Sequence, residues 1–430
     1  MTRLPGILSS VVVFSALCAC TGSKPADAKG TDGIATPLSS ADGSTAAIAQ
    51  GKWPWPCWRG VNGTGISPMT GFNKDWTSKP PRLLWQAPLS DNGWSGPASD
   101  GKILYIVDHS GGDDIVHAWD LATGKEVWQT KYADADNDNQ GFTRTTPAID
   151  GNNLYTVSRL GKVICFDTKN GSIKWKHDFV SEYGGQRPTW DYSVSPIVDG
   201  NKLILAPGAE DGAIVVLDKK TGALLSKAGT GAASYATPVI ATIQGVRQYV
   251  LFQAKKLAGI STDSGKELWS VPWQTGPDVN AATPVVIGNS VFIASGYGHG
   301  CGLVDVDKDG AKIRWQNRVI QAHFNAPILY KGYIYGTGDP GKLTCLDPNT
   351  GTAVWQKEGF EKGGMCAAEG LAFVNNGSNG DVVLVKLDPS GYTEVGRIAP
   401  IRGRAWSSPI LVDGKLVVRT IDKIAVVDIS

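Results

Sequence analysis

The sequence has almost no net charge, because 41 lysine and arginine residues are balanced by 40 aspartate and glutamate residues. A balanced chain has no general electrostatic attraction for the phosphate backbone, which argues against nucleic acid as its main partner. The motif G-x-x-x-x-G-K-[ST] does not occur, so the phosphate-binding loop of P-loop enzymes is missing and that enzyme class is excluded.

Cysteine and long apolar segments are also scarce. Seven cysteines occur in 430 residues, none of them in a C-x-x-C pair or a cysteine and histidine cluster, so zinc and thioredoxin-type sites have no support. Outside the N-terminal region the cysteines are Cys57, Cys165, Cys301, Cys345 and Cys366. Their odd number in an exported protein predicts at least one free thiol, and a bridge involving Cys301 or Cys366 remains an alternative.

The N-terminal residues have the composition of an export signal. Residues 1–19 combine Arg3 with a short apolar core that is too short to span a bilayer stably. The signal ends in Leu17-Cys18-Ala19-Cys20, which resembles a bacterial lipobox and makes Cys20 the predicted lipid-modified residue; an ordinary cleaved signal is the alternative. Residues 20–52 contain hardly any large apolar side chain and predict a flexible tether.

The body of the chain is a repeat of about 44 residues. Each unit begins with Ser or Thr before a proline, continues through short strands rich in Val, Ile, Leu and Tyr, and ends in a glycine turn followed by tryptophan. Four short apolar runs separated by Gly, Asp and Asn predict a four-stranded antiparallel sheet in each unit. Such a sheet cannot bury both faces alone, so the repeats predict sheets that stack radially.

The repeat count predicts a closed ring. The eighth unit stops after its third strand, and residues 82–88 around Trp85 resemble the missing outer strand. We therefore predict an all-β, eight-bladed β-propeller over residues 81–430, closed by pairing of residues 82–88 with the C-terminal blade, which removes free sheet edges. Residues 53–80 are predicted to be a lead-in segment that packs on the propeller.

These units resemble the repeats of the pyrroloquinoline-quinone (PQQ)-like propeller family. The resemblance spans residues 53–430 and rests on the proline and glycine-turn-tryptophan landmarks, together with the opening Trp53-Pro54-Trp55-Pro56-Cys57-Trp58. It implies eight blades with a docking tryptophan on each outer strand. The predicted docking residues are Trp85, Trp128, Trp175, Trp269, Trp315 and Trp355, with Ser226 and Val395 in place of tryptophan in two units.

Propeller geometry predicts where a ligand would bind. The segments between blades and the loops between second and third strands lie on the same face, around a central funnel. The candidate binding residues predicted on this rim are Trp94, Arg187, Trp190, Asp191, Tyr235, His299, His323, Arg404 and Trp406. A solvated loop surface is the alternative.

Two acidic runs invite a calcium interpretation. Asp305, Asp307 and Asp309 match the first half of a D-x-D-x-D-G calcium loop, but Gln316 stands where the bidentate glutamate belongs, so a turn is favoured. A second run, Asp134, Asp136 and Asp138, is interpreted as a solvated loop.

The resemblance implies two different functions, because a fold does not fix a function. A quinone-dependent alcohol or sugar dehydrogenase would hold PQQ with calcium against Trp190 or Trp406, and Asp191 would take the alcohol proton. This chain lacks the adjacent cysteine pair usual in such alcohol dehydrogenases and a C-x-x-C-H haem site.

The favoured hypothesis is a non-catalytic, lipid-anchored scaffold similar to the propeller lipoprotein of the outer-membrane barrel-assembly machine. It predicts a monomeric propeller at the outer membrane, facing the periplasm, with envelope proteins or an extracellular polymer as partners. Carbohydrate binding by the same rim is a third alternative.

Overall fold

The computed structural model describes residues 52–90, 92–135, 140–276 and 278–430. The predicted signal over residues 1–19, the lipidation site Cys20 and nearly all of the tether over residues 20–52 lie outside these ranges, as do Asp136 and Asp138. Within the described ranges no helix is long and apolar enough to cross a membrane.

The described residues form strands joined by short turns, and one short helix. The first half contains β1 (Arg82–Pro88), β2 (Ala98–Ser99), β3 (Ile103–Ser110), β4 (Asp113–Asp120), β5 (Glu126–Ala133), β6 (Ala148–Asp150), β7 (Asn153–Val157), β8 (Lys162–Asp167), β9 (Ile173–Asp178), α1 (Phe179–Tyr183), β10 (Ile197–Asp199), β11 (Lys202–Leu205), β12 (Ile214–Asp218), β13 (Leu224–Ala228), β14 (Val239–Ile243), β15 (Val246–Phe252), β16 (Lys256–Ser261) and β17 (Glu267–Pro272). The second half contains β18 (Val285–Ile287), β19 (Ser290–Ser295), β20 (Gly300–Asp307), β21 (Gly310–Asn317), β22 (Ile328–Tyr330), β23 (Tyr333–Gly338), β24 (Lys342–Asp347), β25 (Thr352–Glu358), β26 (Met365–Ala368), β27 (Leu371–Asn375), β28 (Val382–Lys386), β29 (Glu394–Ile398), β30 (Ile410–Val412), β31 (Lys415–Arg419) and β32 (Lys423–Asp428).

These strands build eight four-stranded antiparallel sheets within the described ranges, as the repeat predicts. Blades 1 to 7 each use four consecutive strands, from β2–β5 for blade 1 to β26–β29 for blade 7. Blade 8 combines β30, β31 and β32 with β1. Contacts between the first strands of successive blades place those strands at the inside of the ring.

The ring is closed by strand β1. It pairs antiparallel with β32, from Arg82 opposite Asp428 to Pro88 opposite Lys423. The predicted closing segment, residues 82–88, is therefore confirmed, and the outer edge of the C-terminal strands is covered by the first strand of the described residues.

The core lies between the blades. Each blade is covered by a neighbour on both faces, so its middle strands are buried along nearly their whole length; Val163, Ile164, Cys165 and Phe166 of β8 are all at most 2% exposed. Side chains from adjacent blades pack in common clusters, for example Cys165 of blade 2 with Val215 of blade 3. This arrangement explains why the strands are runs of apolar residues rather than alternating ones.

Each outer strand has a β-bulge one residue before its docking position. The bulged residues are Leu84, Val127, Lys174, Leu225, Leu268, Arg314, Val354 and Val395. The residues that follow them and restore the pairing are Trp85, Trp128, Trp175, Ser226, Trp269, Trp315, Trp355 and Gly396. A bulge bends the strand locally and re-aims the side chain beside it.

Four docking tryptophans hydrogen bond to the next blade. The indole N–H of Trp85 donates to the backbone oxygen of Leu121 at 2.9 Å, and that of Trp128 donates to Thr168 at 2.8 Å. Trp315 and Trp355 make the equivalent bonds to the two following blades. Trp269 differs, because its indole donates to the Gln248 side chain of its own blade.

The docking position of blade 7 is Gly396, which corrects the assignment of Val395. Val395 is the bulged residue, whereas Gly396 pairs with Leu384. Trp76 of the lead-in segment lies against this glycine: an added Cβ at Gly396 would come within 2.6 Å of the Cβ of Trp76. The indole of Trp76 is 3% exposed and contacts Phe373. A tryptophan from outside the repeat therefore fills this space.

All five cysteines in the described ranges are free thiols. Cys165 and Cys345 occupy equivalent positions in blades 2 and 6, on opposite sides of the ring. Burial raises the pKa of Cys301 to about 12, so this thiol stays protonated and unreactive at neutral pH.

The stretch Gly336–Gly341 fits the pattern G-x-G-x-x-G. It joins two antiparallel strands, β23 and β24, and no helix follows it. A dinucleotide-binding motif requires a strand, this loop and then a helix whose N-terminus meets the pyrophosphate. The match is therefore a hairpin turn and gives no evidence of a nucleotide site.

Replacing Trp128 with alanine tests the docking role. We expect Trp128→Ala to lower the free energy of unfolding by ~3–5 kcal/mol, because it removes a buried aromatic side chain at an interface between blades. Urea unfolding followed by circular dichroism measures this loss. The neighbouring Val127 is 52% exposed, so Val127→Ala should change stability by less than about 0.5 kcal/mol; equal effects of the two substitutions would contradict the docking role.

Candidate functional site

The topology brings the segments between blades to one face of the ring. Consecutive antiparallel strands reverse direction, so the turns after first and third strands lie at one end of each blade. The loops after second strands and the segments that lead to the next blade lie at the other end. We call the latter end the rim face and the former the base face.

One stacked aromatic contact on the rim face joins the first and last blades. Trp94 precedes blade 1 and Trp406 precedes blade 8, and their rings stack at 4.5 Å with an angle of 21°. The backbone oxygen of Trp94 accepts a hydrogen bond from the Ser407 hydroxyl at 2.7 Å, which fixes the two segments together. Both indoles are half-buried. We call this pair the indole platform.

Two cations lie over the indole platform. The guanidinium of Arg404 lies 5.5 Å from the Trp94 ring and 5.1 Å from the Trp406 ring, and the Lys362 ammonium lies 5.5 Å from Trp406. Neither cation forms an ion pair with a carboxylate of the described residues. Cations over aromatic faces are stabilised by the ring quadrupole and keep their charge available to a ligand.

A second aromatic cluster continues from the platform around the rim. Phe324 contacts Trp406 at 5.3 Å and its neighbour His323 at 6.0 Å, and His323 contacts Tyr297 at 4.5 Å. Trp190 lies parallel to Tyr297 at 6.2 Å. The Tyr235 hydroxyl in turn accepts a hydrogen bond from the Trp190 backbone N–H. The predicted residues Trp94, Trp190, Tyr235, His323 and Trp406 are thus brought into one chain of contacts.

Burial shifts the protonation of the histidine in this cluster. His323 contacts the carboxylate of Asp339 through Nε2, and its side chain is only 7% exposed. Burial lowers the pKa of His323, and the adjacent Asp339 offsets part of that effect. At neutral pH the cluster therefore presents a neutral imidazole.

Asp191 is held in a buried ion pair. Its carboxylate accepts a hydrogen bond from Arg159 at 2.9 Å and lies 3.3 Å from the guanidinium of Arg187. Asp191 and Arg159 are 3% and 1% exposed. A carboxylate in this setting neutralises a buried arginine, which is a structural role.

His299 lies apart from the contact chain. Its ring meets Trp273 edge-on at 4.7 Å. Burial lowers its pKa, and the positive charge of Arg318 adds to this. The structure thus places this predicted rim residue in the loop between β19 and β20 of blade 5, against Trp273 at the end of blade 4.

Sequence reasoning missed Phe324 and Lys362 as parts of the rim. One signal could have found Phe324, because it lies three residues before Pro327, as Trp94 lies three before Pro97 and Trp406 three before Pro409. No comparable landmark marks Lys362, since blade 7 lacks the proline.

The lead-in segment covers the base face of the central channel. Trp55 pairs with Ser99 of β2, and Ile66 forms a parallel bridge with Ala367 of β26. The backbone oxygen of Pro56 accepts a hydrogen bond from Ile149 in blade 2 at 2.8 Å. One segment of the chain therefore joins blades on several sides of the ring.

The rim does not fit PQQ with calcium in the arrangement that the family resemblance implies. One face of Trp406 is stacked on Trp94, and the carboxylate of Asp191 is engaged by Arg159. In the part of the chain that the structure describes, no three His, Cys, Asp or Glu side chains are grouped to hold a metal ion.

Asp305, Asp307 and Asp309 form a hairpin turn with its own partners. The Asp305 carboxylate binds Arg314 at 2.5 Å, and the Asp307 side chain accepts a hydrogen bond from the Asp309 backbone at 2.9 Å. An arginine on the first acidic side chain competes directly with a cation for that carboxylate.

Comparison with known proteins gives a consistent family. Residues 69–130 and 112–357 match the sequence profile of the family described as outer membrane protein assembly factor BamB. The outer membrane protein assembly factor BamB of Yersinia pestis is 22% identical over 351 residues, which cover 75% of this chain and 81% of that protein. The protein of the same name from Moranella endobia (strain PCIT) is 23% identical over 300 residues, with coverage of 64% and 71%.

Among solved structures, the quinohemoprotein alcohol dehydrogenase from Comamonas testosteroni is similar, with a TM-score of 0.62 at 13% sequence identity. The match covers 87% of this chain and 80% of that protein. At this identity the likeness shows the propeller fold alone.

Replacing Asp191 with asparagine tests its structural role. The residue has φ of 63°, a conformation that asparagine also tolerates, so Asp191→Asn removes the charge with little backbone strain. We expect a loss of about 3 kcal/mol or more of unfolding free energy, because the buried Arg159 guanidinium loses the charge of the carboxylate that it contacts at 2.9 Å. Thermal and urea unfolding measure the loss. The exposed Asp211→Asn is the matched control and should change stability by less than about 1 kcal/mol; a similarly small effect at Asp191 would contradict the assignment.

Proposed function

The chain belongs to the PQQ-like propeller family described as outer membrane protein assembly factor BamB, and from this membership we propose that it is a non-catalytic scaffold of the cell envelope. In this proposal Cys20 carries the lipid anchor, residues 20–52 are the tether, and the propeller faces the periplasm at the outer membrane. The lipobox-like sequence before Cys20 and the names of the relatives from Yersinia pestis and Moranella endobia support it.

We infer that the indole platform is the partner-binding surface. The observation that carries this inference is the pair of cations, Arg404 and Lys362, which lie over half-buried indoles without a carboxylate partner among the described residues. Tryptophan and arginine contribute a large share of the energy at protein interfaces, because they combine a large apolar area with hydrogen-bond donors. A partner that offers a carboxylate beside an apolar side chain would satisfy both features.

The rigidity of the platform also supports a binding role. Its two indoles belong to segments that the Ser407 hydroxyl ties together, and Phe324 packs beside them. Side chains that are already ordered lose little conformational entropy on binding. The partner in this proposal is an envelope protein of the outer-membrane assembly machinery, the process named for the relatives.

Charge reversal at the platform tests the proposal. We expect the double variant Arg404→Glu and Lys362→Glu to lower the recovery of outer-membrane assembly proteins about tenfold or more, because each lost contact to a charged group is worth ~1.5–3 kcal/mol. The measurement is affinity capture of the lipidated full-length chain from detergent-solubilised envelopes, quantified by mass spectrometry.

The matched control is the double variant Lys131→Glu and Lys176→Glu, which makes the same change in net charge on exposed outer strands. It should retain recovery at the level of the unaltered chain. Equal recovery with the platform variant would contradict the assigned surface. Stoichiometric binding of PQQ and calcium with alcohol-dependent dye reduction would contradict the non-catalytic role.

A further inference from the structure

A buried arginine lies in the central channel without an acidic partner among the residues that the structure describes. Arg59 belongs to the lead-in segment that covers the base face, and it is 9% exposed. Its guanidinium makes four hydrogen bonds, and every acceptor is a backbone oxygen: Gly63, Thr64, Ala326 and Pro327, at distances between 2.7 and 3.0 Å. No carboxylate of the described residues forms an ion pair with it.

Arg59 nevertheless carries a positive charge at neutral pH. Burial lowers its pKa to about 10, which is still well above the pH of the cell envelope. Taking an ion out of water is costly, and carbonyl dipoles return only part of that cost. Buried charges in proteins are normally paired, whereas the described residues offer this arginine no negative charge.

The guanidinium also has an unused donor. Arginine has five N–H groups, and four of them are used by the four backbone oxygens. The remaining N–H is the second one on Nη1, because Nη1 donates once, to Ala326, whereas Nη2 donates twice. This donor needs an acceptor that the described residues do not provide.

Arg59 also lines a small cavity. It has a volume of about 20 Å³ and is lined by Trp55, Trp58, Arg59, Thr146, Ser408 and residues around them. The Thr146 backbone is bound to Ser195, whereas its hydroxyl makes no hydrogen bond to a described residue. The residues that line the cavity therefore include a cation and a threonine whose hydroxyl has no hydrogen bond to a described residue, and the cavity has room for an occupant about as large as a water molecule.

We propose that this cavity binds a chloride ion, with Arg59 as its counter-ion and the Thr146 hydroxyl as a second donor. A single-atom anion fits a cavity of this volume. The anion would supply the missing negative charge and accept the unused N–H. A water molecule would satisfy the hydrogen bond but leave the charge unpaired.

Chloride binding would lock the lead-in segment into the channel. Arg59 joins this segment to Ala326 and Pro327 at the inner side of blade 6, while Thr146 belongs to the inner side of blade 2. An anion held between them would link opposite sides of the ring through the channel. Since the folded chain would bind the ion and the unfolded chain would not, chloride would stabilise the fold.

Thermal unfolding of the full chain in chloride and in gluconate at equal ionic strength tests the site. Above the dissociation constant, we expect each tenfold rise in chloride to lower the apparent unfolding equilibrium constant about tenfold. Arg59→Met should abolish this chloride dependence. The exposed Arg318→Met is the matched control and should retain it.

Crystals of the unaltered chain grown with bromide provide a second measurement that does not depend on the variant folding. We expect an anomalous bromide peak at hydrogen-bond distance from Nη1 of Arg59. A cavity that holds only water, identical unfolding in chloride and gluconate, or a chloride response that survives Arg59→Met would overturn the proposal. The test is independent of the scaffold function, because it requires no partner protein.

Discussion

The pairing of β1 with β32 is the interaction on which the rest of the structure depends. Six residue pairs join β1 to β32, and they convert a linear series of sheets into a ring in which every blade has two neighbours. The closure also builds the candidate site, because Trp94 follows β1 and Trp406 precedes β30. Without the closed ring, the two indoles of the platform would belong to opposite ends of an open array.

The lead-in segment adds a second constraint that the repeats do not contain. It reaches the base of the channel through Trp55 and Ile66, and its Trp76 fills the docking space that Gly396 leaves open. The base face is therefore covered by this segment, whereas the rim face carries stacked indoles and two cations that have no carboxylate partner among the described residues. This asymmetry directs partner binding in our account to the rim face.

The sequence was sufficient to predict the fold because the determining features recur. Eight units with the same turn and strand pattern predict eight sheets, and the incomplete last unit predicts the closing strand around Trp85. The repeat pattern does not predict features of the fold that occur in one blade only. The repeat spacing alone favours Val395 at the docking position of blade 7. A bulge at Val395 moves that position to Gly396, and spacing does not show where a strand bulges. Trp76 lies outside the repeat, and only the folded chain brings it to blade 7.

The candidate site was less predictable because it depends on contacts between distant segments. The rim residues could be selected from their place in the loops, but the partners that define their roles could not. Asp191 is an aspartate, a residue that can accept a proton in catalysis. Only its buried contact with Arg159 shows that it neutralises an arginine instead. Similarly, nothing local to Arg404 or Lys362 indicates that both lie over one indole.

Hydrogen exchange of the β1 amides tests the central claim, closure of the ring, most directly. The account predicts that the backbone amides of β1 that hydrogen bond to β32 exchange as slowly as those of β31, with the same dependence on urea, because they open only when the ring unfolds. Exchange of the β1 amides at the rate of an unstructured peptide, while β31 remains protected, would contradict it.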